Sequence, residues 1–336
     1  MPVTIKDVAR EAGVSISTVS RVINNSKPVS ASIKKKVQKV IDKTGYVPNP
    51  VARSLVMKKS QIIGVIVPGI SEYYVGEFLN GVEEIARMYH YDIVLCNSYG
   101  ESDKEDTYLD LLFSKQAAAI IVVSTNLRPE TIETIQKHDI PFAYCSPNSN
   151  DFSKPASIGV DLAKATEDFI KVLAEGKSDG KIVYVCPYSA DENIKDHMEK
   201  YLRKAFKNLN LKAKDYKFLK FANTEKDMYN IAKEMLTKKP NSVSAFICPS
   251  DKAVLDCYHA LTELGLKVPE DVKLASLFES GLTSSIRPEV YYIRRPLYDM
   301  GAVAARMTVK QIDKIKLDSN HIFLPYSIML GKNKII

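Results

Sequence analysis

A short run near the start of the chain, Ile16-Ser17-Thr18-Val19-Ser20-Arg21, gathers side chains that suit a charged, hydrogen-bonding polymer. Hydroxyls bond to phosphates or base edges, and an arginine can fork onto the O6/N7 edge of guanine. Ile16 can pack on a thymine methyl. Taken singly, each hydroxyl equally suits surface or capping chemistry. Their setting favours nucleic acid. Residues 1–60 hold twelve Lys/Arg and three Asp/Glu, whereas the remainder holds 35 and 37. The net charge of +7 therefore lies entirely in the first sixth of the protein, as in a polyanion-binding module joined to a neutral body. The alternative, a solvated basic tail, is opposed by the patterned, non-repetitive sequence of that region.

Elements must hold such a face outward. Ile5, Val8, Ala9 and Ala12 share one face of a short helix, with Thr4 as candidate N-cap and Gly13 just past its end. A second helix starts at Ser15 or Ser17 and turns Val19, Val22 and Ile23 inward. Residues 24–28 form a loop by composition. A third helix follows Ser30 or Ser32, with Ile33, Val37, Val40 and Ile41 on one face, and stops at Gly45. Two short helices around a glycine, with a supporting third, make a helix-turn-helix. In Tyr46-Val47-Pro48-Asn49-Pro50, each residue before a proline is extended. Asn49 can then cap and Pro50 open a helix through Val56, too short to stand without a partner.

From Ile62 the pattern changes. Apolar runs at 63–67, 93–96, 118–123 and 142–145 alternate with helical segments at 75–89, 104–114 and 130–137. After Asp161 it restarts, with strands at 182–186, 218–221, 245–248, 274–278 and 291–294. Strand–helix alternation builds parallel sheets, and two such units suggest two lobes around a cleft. Asp251, opening a helix after the strand that ends at Cys248, sits where a cleft residue would, or caps that helix. A helix from about Leu297 puts Arg306 and Lys310 on one face, four residues apart. Two cations there complement the helix dipole, or grip one phosphoryl group.

Other function classes find little support. Hydrophobic residues are 45% and charged residues 26% of the chain, enough for a sizeable core. No apolar run approaches a membrane span, and the N-terminus lacks a signal's apolar region, so a cytoplasmic protein is expected. The five cysteines are scattered and form no C-x-x-C pair, and the five histidines are dispersed. No disulfide framework, metal site or cofactor is expected. Phosphate-loop, dinucleotide, nucleophile-elbow and zinc-protease motifs are absent. The sequence therefore points to no catalytic residues and no enzyme.

The run TIKDVAREAGVSISTVSRVIN with GYVPNPVARSL closely resembles the headpiece of the LacI/GalR family, and the likeness extends along the whole chain. That resemblance implies an α/β protein with a helix-turn-helix headpiece and a two-lobed periplasmic-binding-protein-like core of parallel sheets flanked by helices. The headpiece would span 1–60, with a hinge helix at about 50–56, and the core 61–336. Lobe 1 would comprise about 61–160 and 296–325, and lobe 2 about 161–295 and 326–336. Ile16, Ser17 and Arg21 would read bases, with Thr4, Thr18, Ser20 and Asn24 completing the DNA-contacting set. Leu55 would wedge into a minor-groove step beside Ala52, unless it packs the hinge on the core. A homodimer is implied, because one headpiece covers half of a palindromic double-stranded DNA site. The core implies a cleft set of Tyr73, Asp161, Asp251 and Glu279 for a small sugar or sugar phosphate.

Within the family, GVIVP, EEIARMYHYDIVLCNS and YDMGAVA look most like the catabolite-control branch of Gram-positive bacteria. This implies repression of carbon-metabolism genes, with Tyr298, Arg306 and Lys310 docking the serine-phosphorylated phosphocarrier HPr. The pattern has departures. Gly69 replaces an acidic residue and Ser327 an arginine beside that surface. The arginine that sugar-binding members carry is missing from DHMEKYLRKAF at 196–206.

Overall fold

A computed structural model describes residues 3–24, 28–46, 60–124, 127–146, 156–176, 180–187, 197–221 and 224–336. The chain divides into two compact units, 1–61 and 62–336.

The first unit contains α1 (Ile5–Ala12), α2 (Ile16–Asn24) and α3 (Ala31–Thr44). Thr4 caps α1 through a reciprocal box: Asp7 N donates to Thr4 Oγ1 at 3.4 Å, and Thr4 N donates to Asp7 Oδ2 at 3.0 Å. Gly13 ends α1 at φ 61°, a left-handed conformation that glycine adopts without strain. There the chain reverses into α2. The core is Val8, Ala9, Ala12, Val19, Val22, Val37 and Val40, so the inward faces are those the spacing predicts. Lys43 of α3 pairs with Glu11 of α1 at 2.7 Å. The second helix begins at Ile16, one residue after Ser15, whose Oγ accepts Thr18 N–H at 3.1 Å. The expected hinge helix at 50–56, with Ala52 and Leu55, lies outside the described residues.

The second unit holds two sheets. β1 (Ile62–Val67), α4 (Tyr73–Met88), β2 (Asp92–Asn97), α5 (Ser102–Ser114), β3 (Ala119–Val123), α6 (Pro129–Lys137), β4 (Phe142–Cys145) and β5 (Ser157–Gly159) lead into the second half. There α7 (Leu162–Ala174), β6 (Lys181–Pro187), α8 (His197–Asn208), β7 (Tyr216–Phe221), α9 (Thr224–Lys238), β8 (Val243–Cys248), α10 (Asp251–Glu263), β9 (Lys273–Phe278) and β10 (Tyr291–Arg294) follow. The chain then returns through α11 (Leu297–Ile312) and β11 (His321–Phe323), and finishes in β12 (Ser327–Leu330) and β13 (Asn333–Lys334).

The first sheet is six-stranded in the order β11-β5-β4-β3-β1-β2, and every pairing is parallel. The second, β13-β12-β10-β9-β8-β6-β7, is parallel except where β12 joins β10 and β13. Central strands such as IIGVIV are buried on both faces, as sheets covered by helices require. The chain crosses between sheets three times: after β5, after β10 and after β11. In the first lobe α4 and α11 cross at two glycines. A Cβ on Gly81 would lie 2.0 Å from Tyr298 O, and one on Gly301 would lie 1.9 Å from Phe78 O. Only glycine permits backbones this close. Among the described residues, no helix is long and apolar enough to cross a membrane.

Candidate nucleic-acid interface and regulatory sites

On α2, burying Val19 and Val22 turns the opposite face to solvent. Ile16 is 45% exposed, although a large apolar side chain gains by burial. Ser17 and Arg21 are exposed beside it, with Thr18 and Ser20 half-buried at its margin. Arg21 has no hydrogen-bond or ion-pair partner among the described residues. A guanidinium left available on a helix end is suited to an external anion or base edge. Thr4 heads α1 and is exposed, while Asn24 is the last residue of α2. The structure thus sets Ile16, Ser17, Thr18, Ser20 and Arg21 on one element, with Thr4 in the same small unit.

The C-terminal ends of β1, β8 and β9 deliver a second group. Tyr73, first residue of α4, brings its ring within 3.9 Å of a Cβ built on Gly281, just beyond β9. Burial raises the Tyr73 phenol above its ordinary range, helped by Glu279 and Glu77 and opposed by Arg294. Glu279 accepts Arg294 Nε at 2.9 Å, and Arg294 also donates to Tyr292 Oη at 3.0 Å. Asp251 accepts Ser280 Oγ at 2.6 Å. Ser250, not Asp251, caps α10, through Ala253 N at 3.3 Å. The Asp251 carboxylate is thereby directed to Ser280.

Tyr73, Asp251 and Glu279 are therefore linked through the 279–281 segment, whereas Asp161 is positioned elsewhere. It caps α7 by accepting Lys164 N at 3.0 Å, and its charge acts on Tyr326. Tyr326 Oη donates to Asp168 at 2.6 Å, close to the crossovers.

Arginine at this site escaped the sequence analysis. Arg295 is 4% exposed, with its guanidinium 4.0 Å from the Phe278 ring centre and 5.5 Å from that of Tyr74. Burial lowers its pKa to about 10, so it stays charged at neutral pH. A cation between aromatic faces of both lobes is held by ring quadrupoles where water is excluded. Its sequence signal was two consecutive arginines before Pro296 at the end of an apolar strand.

The third group lies on α11. Tyr298 Oη donates to Glu84 of α4, and Arg306 is near enough for its charge to act on the Tyr298 phenol. Arg306 is exposed and has no hydrogen-bond or ion-pair partner among the described residues. Lys310 instead pairs with the exposed Asp318 at 2.9 Å. One of the two expected phosphate ligands is thus available as it stands, and the other is held by a carboxylate.

A three-helix head with exposed polar side chains on its second helix, followed by two linked lobes of mainly parallel sheet, defines a class. The chain belongs to the LacI family of bacterial regulatory proteins, whose model matches residues 4–49. A second model, for periplasmic binding proteins and the sugar binding domain of the LacI family, matches residues 60–318. The protein is accordingly a LacI-family transcription regulator. Its relatives include catabolite control protein A of Priestia megaterium, 34% identical over 330 residues that cover 98% of each chain. Catabolite control protein A of Staphylococcus aureus (strain Mu50) is 33% identical over the same shares.

Among solved structures, transcription regulator CcpA of Lactococcus lactis aligns with a TM-score of 0.63 and 25% identity. It covers 81% of this chain and 99% of its own. The lac repressor dimer bound to operator and the anti-inducer ONPF aligns with a TM-score of 0.81 over 99% of both chains. At 19% identity that likeness concerns the fold.

Proposed function

We propose that this protein is a sequence-specific repressor of carbon-metabolism genes in the cytoplasm, binding a palindromic operator as a homodimer and catalysing no reaction. The observation that carries this reading is the outward face of α2, with exposed Ile16 and Ser17 beside an unpaired Arg21 on a strongly basic unit. A helix of this length fits the major groove, where Arg21 reads a guanine and Ile16 meets a thymine methyl. Thr4, Thr18, Ser20 and Asn24 fix the register on phosphates or neighbouring base edges. Ala52 and Leu55 act at the hinge, with Leu55 opening a minor-groove step.

Control is assigned to serine-phosphorylated HPr, docked on α11 by Arg306, Lys310 and Tyr298. The exposed Arg306 supports this, because a guanidinium binds a phosphoryl group by paired hydrogen bonds. Lys310 would exchange Asp318 for the phosphate. A second reading is gating by a small sugar or sugar phosphate. It is supported by the convergence of Tyr73, Asp251 and Glu279 around 279–281.

The test is a gel shift with a palindromic duplex selected by the protein and a scrambled one, at two salt concentrations. Specific excess binding that falls steeply with salt is expected. Equal binding to both duplexes would reject the regulator of defined sites. Repeating the titration with phosphorylated HPr and with a sugar-phosphate panel separates the two forms of control.

A further inference from the structure

At the head of α2, Ser15 Oγ lies 2.8 Å from Ser17 Oγ and 2.8 Å from Thr18 Oγ1, and accepts Thr18 N–H at 3.1 Å. A serine oxygen offers one proton and two lone pairs. The Thr18 amide, shared between this oxygen and the Ser15 carbonyl oxygen at 2.9 Å, occupies one lone pair. One proton and one lone pair remain for two hydroxyls, so Ser15 donates to one and accepts from the other. The hydroxyl that accepts from Ser15 keeps its own proton for an outside partner. Its neighbour has its proton committed and faces outward with lone pairs alone.

We propose that Ser15 is a positioning residue that imposes opposite hydrogen-bond polarity on Ser17 and Thr18, and so sets which base group Ser17 reads. This rests on the placement of α2 in the major groove proposed above. Thr18 is half-buried in the first turn of α2, whereas Ser17 is exposed, so the two meet different partners. The first turn of a helix attracts phosphate oxygens, which accept hydrogen bonds and never donate them. Thr18 can bind one only by giving its proton outward, and must then accept from Ser15. Ser17 in turn must donate to Ser15. It is left an acceptor, selecting the amino group of cytosine N4 or adenine N6 and rejecting the guanine and thymine acceptors.

The experiment selects duplexes from a randomised palindromic pool with the full-length chain and four variants. Ser15→Thr keeps the relay. Ser15→Gly removes it while leaving a tolerated helix start. Ser17→Ala removes the reader, and Ser15→Gly/Ser17→Ala removes both. Wild type and Ser15→Thr should prefer an amino-bearing base at one position per half-site, a preference that Ser17→Ala lacks. Replacing that base with an analogue lacking the amino group should weaken wild-type binding by about 3- to 10-fold, as for one hydrogen bond. It should leave Ser17→Ala unaffected, while Ser15→Gly, whose Ser17 hydroxyl is free to donate or to accept, should no longer prefer the amino-bearing base over guanine or thymine.

Unchanged discrimination in Ser15→Gly would overturn the relay. So would a uniform loss of affinity with intact base preference, which marks Ser15 as a cap alone. A Ser17-dependent preference for guanine or thymine would overturn the assigned polarity. Failure of wild type to select any duplex would overturn the groove assignment itself, a result distinct from the others.

Discussion

Arg21 and Glu105 are both charged, and their surroundings give them opposite uses. Arg21 is exposed without an internal partner, so its side chain contributes little to the fold. Arg21→Ala should leave stability unchanged and cost about 1–3 kcal/mol at one base pair, with phosphate contacts persisting. Competition gel shifts with specific and random duplexes check this: the specific complex should weaken more. Glu105, in the first turn of α5, is 1% exposed, and its Oε2 has no hydrogen-bond partner among the described residues. Burial raises its pKa above 4.5, with Asp106 adding to the rise while Ser124 and Arg128 oppose it. For a carboxyl shifted upward, the folded state holds the proton more tightly than the unfolded one. Its stabilising contribution is complete below pH 4.5 and is lost as pH rises through the raised value. Glu105→Gln, which mimics the protonated form, should melt higher than wild type at pH 8. The difference should disappear near pH 4 in calorimetry.

Among elements, the α4–α11 crossing separates two glycines that composition treats alike. Gly301 leaves no room for a Cβ against Phe78 O, whereas Gly76 in α4 has nothing within 4 Å. Gly301→Ala should destabilise by about 3 kcal/mol, the upper end of overpacking costs. Gly76→Ala should stabilise by about 0.5–1 kcal/mol, because alanine loses less entropy in a helix. Urea midpoints at constant m-value test both. The sequence displayed the buried central strands, since 62–67 and 119–123 are continuous apolar runs. It did not display β5, β11, β12 or β13, each of two to four residues. For β5 and β11 the hydrogen bonds come from remote segments: Ser157 N bonds to Asn320 O, and β5 registers with His321 to Phe323. Periodicity over so few residues carries no signal, and partners 160 positions away leave no local pattern.

For the whole molecule, legibility divided along the same line. The headpiece face was readable because its residues are neighbours on one short helix. The cleft set was only partly readable, because Tyr73, Asp251 and Glu279 are brought together by sheet topology. Asp161 shares their chemistry but serves as a helix cap. Communication between α11 and DNA is the property to test at this scale. Operator affinity of wild type should rise when phosphorylated HPr is titrated in. The Arg306→Ala/Lys310→Ala double mutant should bind operator normally and fail to respond. Equal responses would remove the phosphate clamp and leave metabolite gating. Asp318→Asn should release Lys310 and increase the sensitivity to phosphorylated HPr, measured as a lower half-saturating concentration.

The three crossings between sheets also impose a timetable. β1 to β5 emerge from the ribosome early, but α11 and β11, which complete their layer, follow β5 by about 140 residues. At roughly 5–20 residues per second, the first lobe waits on the order of 7–30 s for its final helix and edge strand. Throughout that interval the Gly81 face of α4 and the outer edge of β5 lack their partners, while α1, α2 and α3 have already emerged. A nascent chain can therefore carry its complete N-terminal helices well before the first lobe of its second unit is finished.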